Sequence, residues 1–215
     1  MADEPTDTDA PGVERTELAL FPLQSVLFPD GLLGLKIFET RYLDLISRCM
    51  RSSKGFGVVA LRSGSETRLP GAEPVQLEAV GVLAEILEVD SPGSGILHVR
   101  CRGTTRLAAH AVAQQSDGLW TAQAEWLPAD PVVAPGEALQ ACAQALVTAV
   151  DTLHAQGTRP FLEPMRFDDA GWVANRWCEI LPIPTEAKHR LMALDEPLIR
   201  LGLVDEFLRQ NGVIG

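Results

Sequence analysis

The chain has 215 residues, 46% of them hydrophobic, which is enough for a sizeable core and allows one large domain or two small ones. Its formal net charge is −11, from 29 acids against 18 bases, so the body as a whole repels polyanions and nucleic acid is a disfavoured partner. No apolar run approaches the roughly 18 residues of a membrane span, and the acidic start (Asp3, Glu4, Asp7, Asp9) is the opposite of a signal peptide's basic, apolar opening, so the expected compartment is the cytoplasm.

Residues 1–16 are acidic and broken by Pro5, Pro11 and Gly12, the composition of a disordered, solvated leader. The first strand is expected over residues 18–23. Phe21-Pro22 and Phe28-Pro29 then mark strand ends, because neither proline offers a backbone N–H to a ladder. Asp30-Gly31 is a turn signal. Over residues 32–38, Leu33, Leu35 and Ile37 alternate with Gly34, Lys36 and Phe38, which puts one aliphatic row on a single sheet face. At Glu39-Thr40 the period changes. Tyr42, Leu43, Leu45, Ile46 and Cys49 recur at helical spacing, predicting a helix over residues 41–51 with Thr40 as its N-cap.

Residues 55–62 (GFGVVALR) read as a strand buried on both faces, and residues 63–74 as a polar loop. Strands follow over 80–89, 96–101, 106–114 and 119–126, the first two joined by a hairpin loop at 90–95. About seven short antiparallel strands with one helix favour a closed or nearly closed barrel over residues 17–127. Residues 128–135 (PADPVVAP) break the composition and serve as the expected linker. Residues 136–215 read as helices. One spans 137–156, one is capped by Asp168 or Asp169 and carries Trp172 and Trp177, one opens at Thr185, and one is capped by Asp195. Each is apolar on one face, so they must pack on one another or on the barrel. The fold class is α+β.

The run from Leu20 to Tyr42, LFPLQSVLFPDGLLGLKIFETRY, resembles the opening signature of the Lon protease N-terminal domain family. The residues that carry it are Phe21, Pro22, Phe28, Pro29, Phe38, Glu39, Arg41 and Tyr42. The segments VGVLAEI, VRCRGTTRL and ANRWCEILPIPTEAKHRLMALDEPLIRL are similar to later parts of the family's pattern, with Met192 replacing its second Leu. The resemblance implies a PUA-like β-barrel with one inserted helix, followed by a small helical bundle. It also implies the recognition part of an ATP-dependent protease standing alone. The phosphate-binding motif G-x-x-x-x-G-K-[ST] does not occur in the sequence, and Lys36 and Lys54 lie far from any motif resembling that protease's serine and lysine.

The remaining chemistry-bearing residues are read as structural. Asp151-x-x-His154 and Glu186-x-x-His189 sit one helical turn apart, but acid–histidine pairs at that spacing are frequent on exposed faces, and no metal or other cofactor is expected. His98 and His110 read as hydrogen-bonded strand residues. Ser25 and Ser47 lack a nucleophile elbow. Cys49, Cys101, Cys142 and Cys178 are scattered, without a C-x-x-C pair, as free thiols in a reducing compartment would be. Arg100, Arg102 and Arg106 make a local basic patch that keeps RNA or nucleotide binding as the alternative, although aromatic residues do not interleave it. Glu39, Arg41 and Tyr42 are expected to lock the strand-to-helix junction. The expected function is non-catalytic recognition of unfolded or degron-bearing polypeptide, or of a partner protein. Its apolar contacts are expected in or near a groove between barrel and helices, with Leu32, Leu33, Trp172 and Trp177 as candidates.

Overall fold

The computed structural model describes residues 14–64, 74–93 and 95–215. The expected acidic leader and most of the 63–74 loop lie outside the described residues. Arg15 and Thr16, assigned to that leader by composition, instead begin the first strand and pair with Glu125 and Ala124.

Among the described residues there are six strands: β1 (Arg15–Leu23), β2 (Leu32–Ile37), β3 (Phe56–Ser63), β4 (Gln76–Asp90), β5 (Leu97–Gln114) and β6 (Trp120–Trp126). They run in the order β2-β5-β4-β3-β1-β6, and β6 also pairs with β5. The second pairing closes β5-β4-β3-β1-β6 into a five-stranded barrel, with β2 added to the first half of β5. About seven strands were expected; there are fewer because the strands expected at 96–101 and 106–114 are one 18-residue strand, β5. Gly103, Thr104 and Thr105 read as a break, but they carry the bend by which β5 leaves β2 and joins β6. Not all the strands are antiparallel as expected: β1 and β3 are parallel. A parallel pair needs a crossover, and β2 with helix α1 (Thr40–Ser52) supplies it.

Helix α1 buries Tyr42, Leu45, Ile46 and Cys49, the i, i+3, i+4, i+7 stripe that the sequence spells. Its N-cap is Glu39 rather than Thr40, and no side chain caps it. Tyr42 stacks on Phe21 with ring centroids 4.1 Å apart, and Phe21 tilts against Phe56. The aromatic core of the barrel is therefore built across β1, β3 and α1.

Residues 127–135 have no regular structure and lead into α2 (Gly136–Ala155), α3 (Ala170–Ile180), α4 (Thr185–Ala193) and α5 (Pro197–Gln210). Asp169 caps α3, accepting from the N–H groups of Gly171 and Trp172. Asp195 does not cap α5. Glu196 holds that position without a side-chain bond, because the Asp195 carboxylate turns to Arg106 at 3.1 Å. One hydrophobic cluster runs from Phe21, Ile46 and Phe56 in the barrel through Leu146, Val173 and Leu201 in the helices. No helix of the described residues is long and apolar enough to cross a membrane.

Candidate functional site: a groove between two strand edges

The residues of the 20–42 run fold into the walls of one groove of about 380 Å³. Strand β6 leaves β1 after Leu20, so Phe21, Pro22 and Leu23 pair with β3 alone. Among the described residues β2 pairs only with β5. Two strand edges without a ladder partner thus line the same groove, Phe21 to Leu23 on one side and Leu33 to Ile37 on the other. Phe21 and Tyr42 form its floor with buried Leu35 and Ile37. Phe38 stands at its mouth, 60% exposed, the largest exposed aromatic surface that the described residues offer. Ser25, Lys36 and Glu39 supply the polar rim.

The junction that holds this groove open is tied down by charge. Arg41 pairs with Glu39 at 2.5 Å, donates to the carbonyl of Gly118 at 3.1 Å, and lies 4.8 Å from the centroid of the Tyr42 ring. It therefore fastens the start of α1 to the turn between β5 and β6. A cation with its planar head over an aromatic face and a carboxylate at its edge is a rigid clamp.

The cleft between barrel and helices, where apolar contacts were expected, has a different character. It encloses about 250 Å³ and is lined by Asp30, Arg106, Asp130, Arg166 and Asp169, with Trp172 in its wall. Asp130 accepts from Arg106 at 2.9 Å and from Arg200 at 2.6 Å. Those guanidinium side chains are only 3% and 1% exposed. Asp30 is held between Arg102 and Arg166. Arg176 is fully buried, donating to the carbonyl of Pro29 at 2.9 Å and pairing with Glu179 at 2.7 Å. Burial pushes the Glu179 carboxyl up to about 7 against the pull of Arg176. This is an ionic seam that joins the two halves, with Pro29, Pro128, Ala129 and Val132 as the apolar part of the cleft wall.

The candidate contact residues are therefore placed differently from one another. Leu33 lines the groove, whereas Leu32 is half-buried on the other face of β2, opposite Arg102. Trp172 is buried against the edges of Phe161 and Phe167. Trp177 is buried too, and its indole N–H donates to the carbonyl of Cys142 at 3.1 Å. Both rings are thus packed, and Trp172 in addition forms part of the wall of the barrel–helix cleft. Of the signature residues, Phe28 is fully buried and Pro29 lends its carbonyl to Arg176.

Several of the other sequence candidates are occupied structurally, whereas the Nε2 of His154 is buried without a hydrogen-bond partner among the described residues. Arg100 pairs with Glu88 at 3.0 Å, Arg102 with Asp30, and Arg106 with Asp130, so each member of the basic patch has an acid partner. His110 bonds Glu125 at 3.0 Å, and His189 bonds the carbonyl of Val80 at 3.1 Å. Among the described residues no three acid, histidine or cysteine side chains converge as a metal site would require. All four cysteines are buried, and burial pushes the thiols of Cys101, Cys142 and Cys178 up to about 12, far from a nucleophilic thiolate at neutral pH.

Sequence reasoning missed the seam. Its one available signal was the arginine placed within an apolar helical stripe: Arg176 between Trp172, Val173 and Trp177, and Arg200 beside Leu201 and Val204. A charge at such a position is buried only if an acid meets it. For Arg176 that acid is Glu179, one turn along the same helix; for Arg200 it is Asp130, which comes from the irregular segment, whose course composition does not specify.

Comparison with known proteins agrees with this architecture. Residues 17–210 match the model of the family described as the ATP-dependent protease La (LON) substrate-binding domain. The chain is 26% identical over 201 residues to the Lon protease of Xanthomonas oryzae pv. oryzae (strain KACC10331 / KXO85), covering 89% of this chain and 23% of that protein. It thus spans about a quarter of that relative's length. Among solved structures it is similar to the Lon N-terminal domain protein from Xanthomonas campestris, with 30% identity and a TM-score of 0.66 over 88% of this chain and 96% of that one. The N-terminal domain of Mycobacterium avium complex Lon protease shares the fold, with 15% identity and a TM-score of 0.63 over 89% of this chain and 97% of that one.

Proposed function

The chain belongs to the LON substrate-binding domain family, and from that premise we propose that it recognises unfolded or degron-bearing polypeptide without altering covalent bonds, through the groove between β1, β2 and α1. The observation that carries this reading is the groove itself. Its floor is aromatic and aliphatic, it is flanked by two unpaired strand edges, and exposed Phe38 stands at its mouth. Apolar side chains entering it would leave water, and an extended backbone would find donors and acceptors at the rim. The groove replaces the barrel–helix cleft as the proposed contact surface, because the groove carries two free strand edges and exposed Phe38, whereas the carboxylates and guanidinium groups of the cleft are already paired with one another.

Recognition without chemistry is supported by the state of the side chains that chemistry would use. The thiols are buried and protonated, His110 and His189 are engaged in structural hydrogen bonds, and Ser47 accepts a hydrogen bond from Arg51 at 2.6 Å. The acid partner of each arginine in the basic patch favours polypeptide over RNA as the ligand. We place the protein in the cytoplasm, where such polypeptides arise.

The test is photo-crosslinking from position 38. With benzoylphenylalanine in place of Phe38, a permanently unfolded protein such as reduced, carboxymethylated lactalbumin is expected to crosslink well above a folded globular control. Equal labelling of the two would overturn the reading.

A further inference from the structure

The geometry points to strand addition as the mode of recognition: an extended segment of another polypeptide pairs with the free edge of β2. This rests on the polypeptide reading above and names how the ligand is held.

The direction of the β2 backbone groups follows from its one regular neighbour. The N–H of Gly103 donates to the carbonyl of Gly31 at 2.9 Å, and the β2–β5 register pairs Leu32 with Arg102 and Leu33 with Cys101. In an antiparallel ladder hydrogen-bonded positions alternate. Gly31 faces β5, so Leu33, Leu35 and Ile37 face β5 as well. Leu32, Gly34 and Lys36 therefore turn their N–H and C=O groups to the open edge. Gly34 and Lys36 both line the groove. This six-residue edge, about 20 Å long at 3.3–3.4 Å per residue, is a template for a partner backbone.

Two side chains on that edge indicate what pairs with it. A Cβ on Gly34 would meet nothing within 4 Å, and its φ is not positive, so neither packing nor backbone conformation within the chain requires glycine there. A glycine inside a strand marks a place where another backbone or a bulky cross-strand side chain approaches closely. Lys36 is exposed and has no acid partner among the described residues, in a chain whose neighbouring Arg100 and Arg102 both have one. A strand laid on this edge would meet an ammonium on its outer face and Leu33 and Leu35 on its inner face. The occupant is thus an extended polypeptide with apolar residues at alternate positions and an acidic residue opposite Lys36. A second copy of this chain fits less well, because two bodies of charge −11 repel and β2 against β2 would bring two lysines to one edge.

The experiment uses the full chain and a fluorescein-labelled nonapeptide in which valine alternates with threonine and one glutamate. Its counterparts carry N-methyl groups on alternate amides, in either of the two registers, which removes strand donors without changing the side chains. We expect the unmodified peptide to bind, and one methylated register to bind at least tenfold more weakly. Lys36→Pro removes one outward donor and leaves the β5 ladder intact, so it should also weaken binding at least tenfold while the thermal midpoint stays near that of the wild type. Lys36→Gln keeps the donor and should cost about two- to fivefold, the range of a cross-strand charge pair. If Lys36→Pro fails to fold, the methylated peptides on the wild-type chain decide alone. Equal binding of all three peptides would overturn strand addition. So would peptide-independent dimerisation that Lys36→Pro abolishes, which would make a second copy the occupant. Absence of peptide binding while unfolded protein still crosslinks at position 38 would overturn strand addition and leave polypeptide recognition standing; absence of both would overturn both.

Discussion

Replacing Asp130 by asparagine should destabilise the protein far more than its place in an irregular segment suggests. One carboxylate serves two buried cations: Oδ1 accepts from Arg106 at 2.9 Å, and Oδ2 accepts from Arg200 at 2.6 Å. Asparagine keeps one acceptor and aims two donors at the guanidinium groups. Arg106 retains Asp195 at 3.1 Å, but that carboxylate is 78% exposed and water screens it. Arg200 is left with the carbonyls of Leu191 and Leu194 and the side chain of Asn175. Removing one partner of a buried pair costs about 3–5 kcal/mol, because the remaining charge stays out of water. At about 2–4 °C per kcal/mol for a chain of this size, the thermal midpoint should fall by about 6–20 °C. Urea unfolding followed by tryptophan fluorescence and far-ultraviolet circular dichroism measures it. Glu186→Gln, which breaks the exposed pair with Arg190, is the control and should cost about 0–1 kcal/mol. An Asp130→Asn loss no larger than the control would refute the claim that this seam joins barrel and helices.

Three other substitutions probe separate parts of the fold. Gly103→Ala would place a Cβ 2.2 Å from the carbonyl oxygen of Phe28, which is backbone and cannot turn aside, so chemical denaturation should show a loss of about 1–3 kcal/mol. Leu146→Ala should cost about 2–5 kcal/mol by the same assay, since Leu146 is fully buried where α2 meets the shared core. Glu179 sets a pH dependence. Its carboxyl is raised from 4.5 to about 7 by burial, so its contribution to stability is full below about 4.5 and is lost as the pH rises through 7. Unfolding free energies measured at about pH 5 and about pH 8 should therefore differ less in Glu179→Gln than in the wild type; an unchanged difference would contradict the raised value.

The sequence carried the local features well where one period dominated. Alternation in β2 and the Tyr42, Leu45, Ile46, Cys49 stripe in α1 specify which face is buried, and the structure buries those faces. The Phe-Pro pairs marked strand limits because a missing N–H is a local property. What escaped was set by distance. The parallel β1–β3 pair and the unbroken β5 depend on which strands meet, and Gly103 resembles a break until Phe28 is seen packed against it. Trp172 and Trp177 looked like possible surface anchors, but Phe161 and Phe167, from the segment between α2 and α3, pack on Trp172, and Trp177 is buried with its indole N–H bonded to α2. The groove was half legible. Its residues were singled out as one signature, but one free edge arises where β6 leaves β1 at Leu20 and the other because β2 ends the sheet with β5 as its one partner among the described residues.

The central claim is that polypeptide enters the β1–β2–α1 groove, and amide chemical-shift mapping tests it most directly. With isotope-labelled protein and a permanently unfolded polypeptide as titrant, shifts should concentrate at residues 21–23 and 33–39, with residues around Asp130 and Arg200 unmoved. Shifts centred on the Asp30–Arg106–Asp130 cleft, or none at saturating titrant, would contradict it.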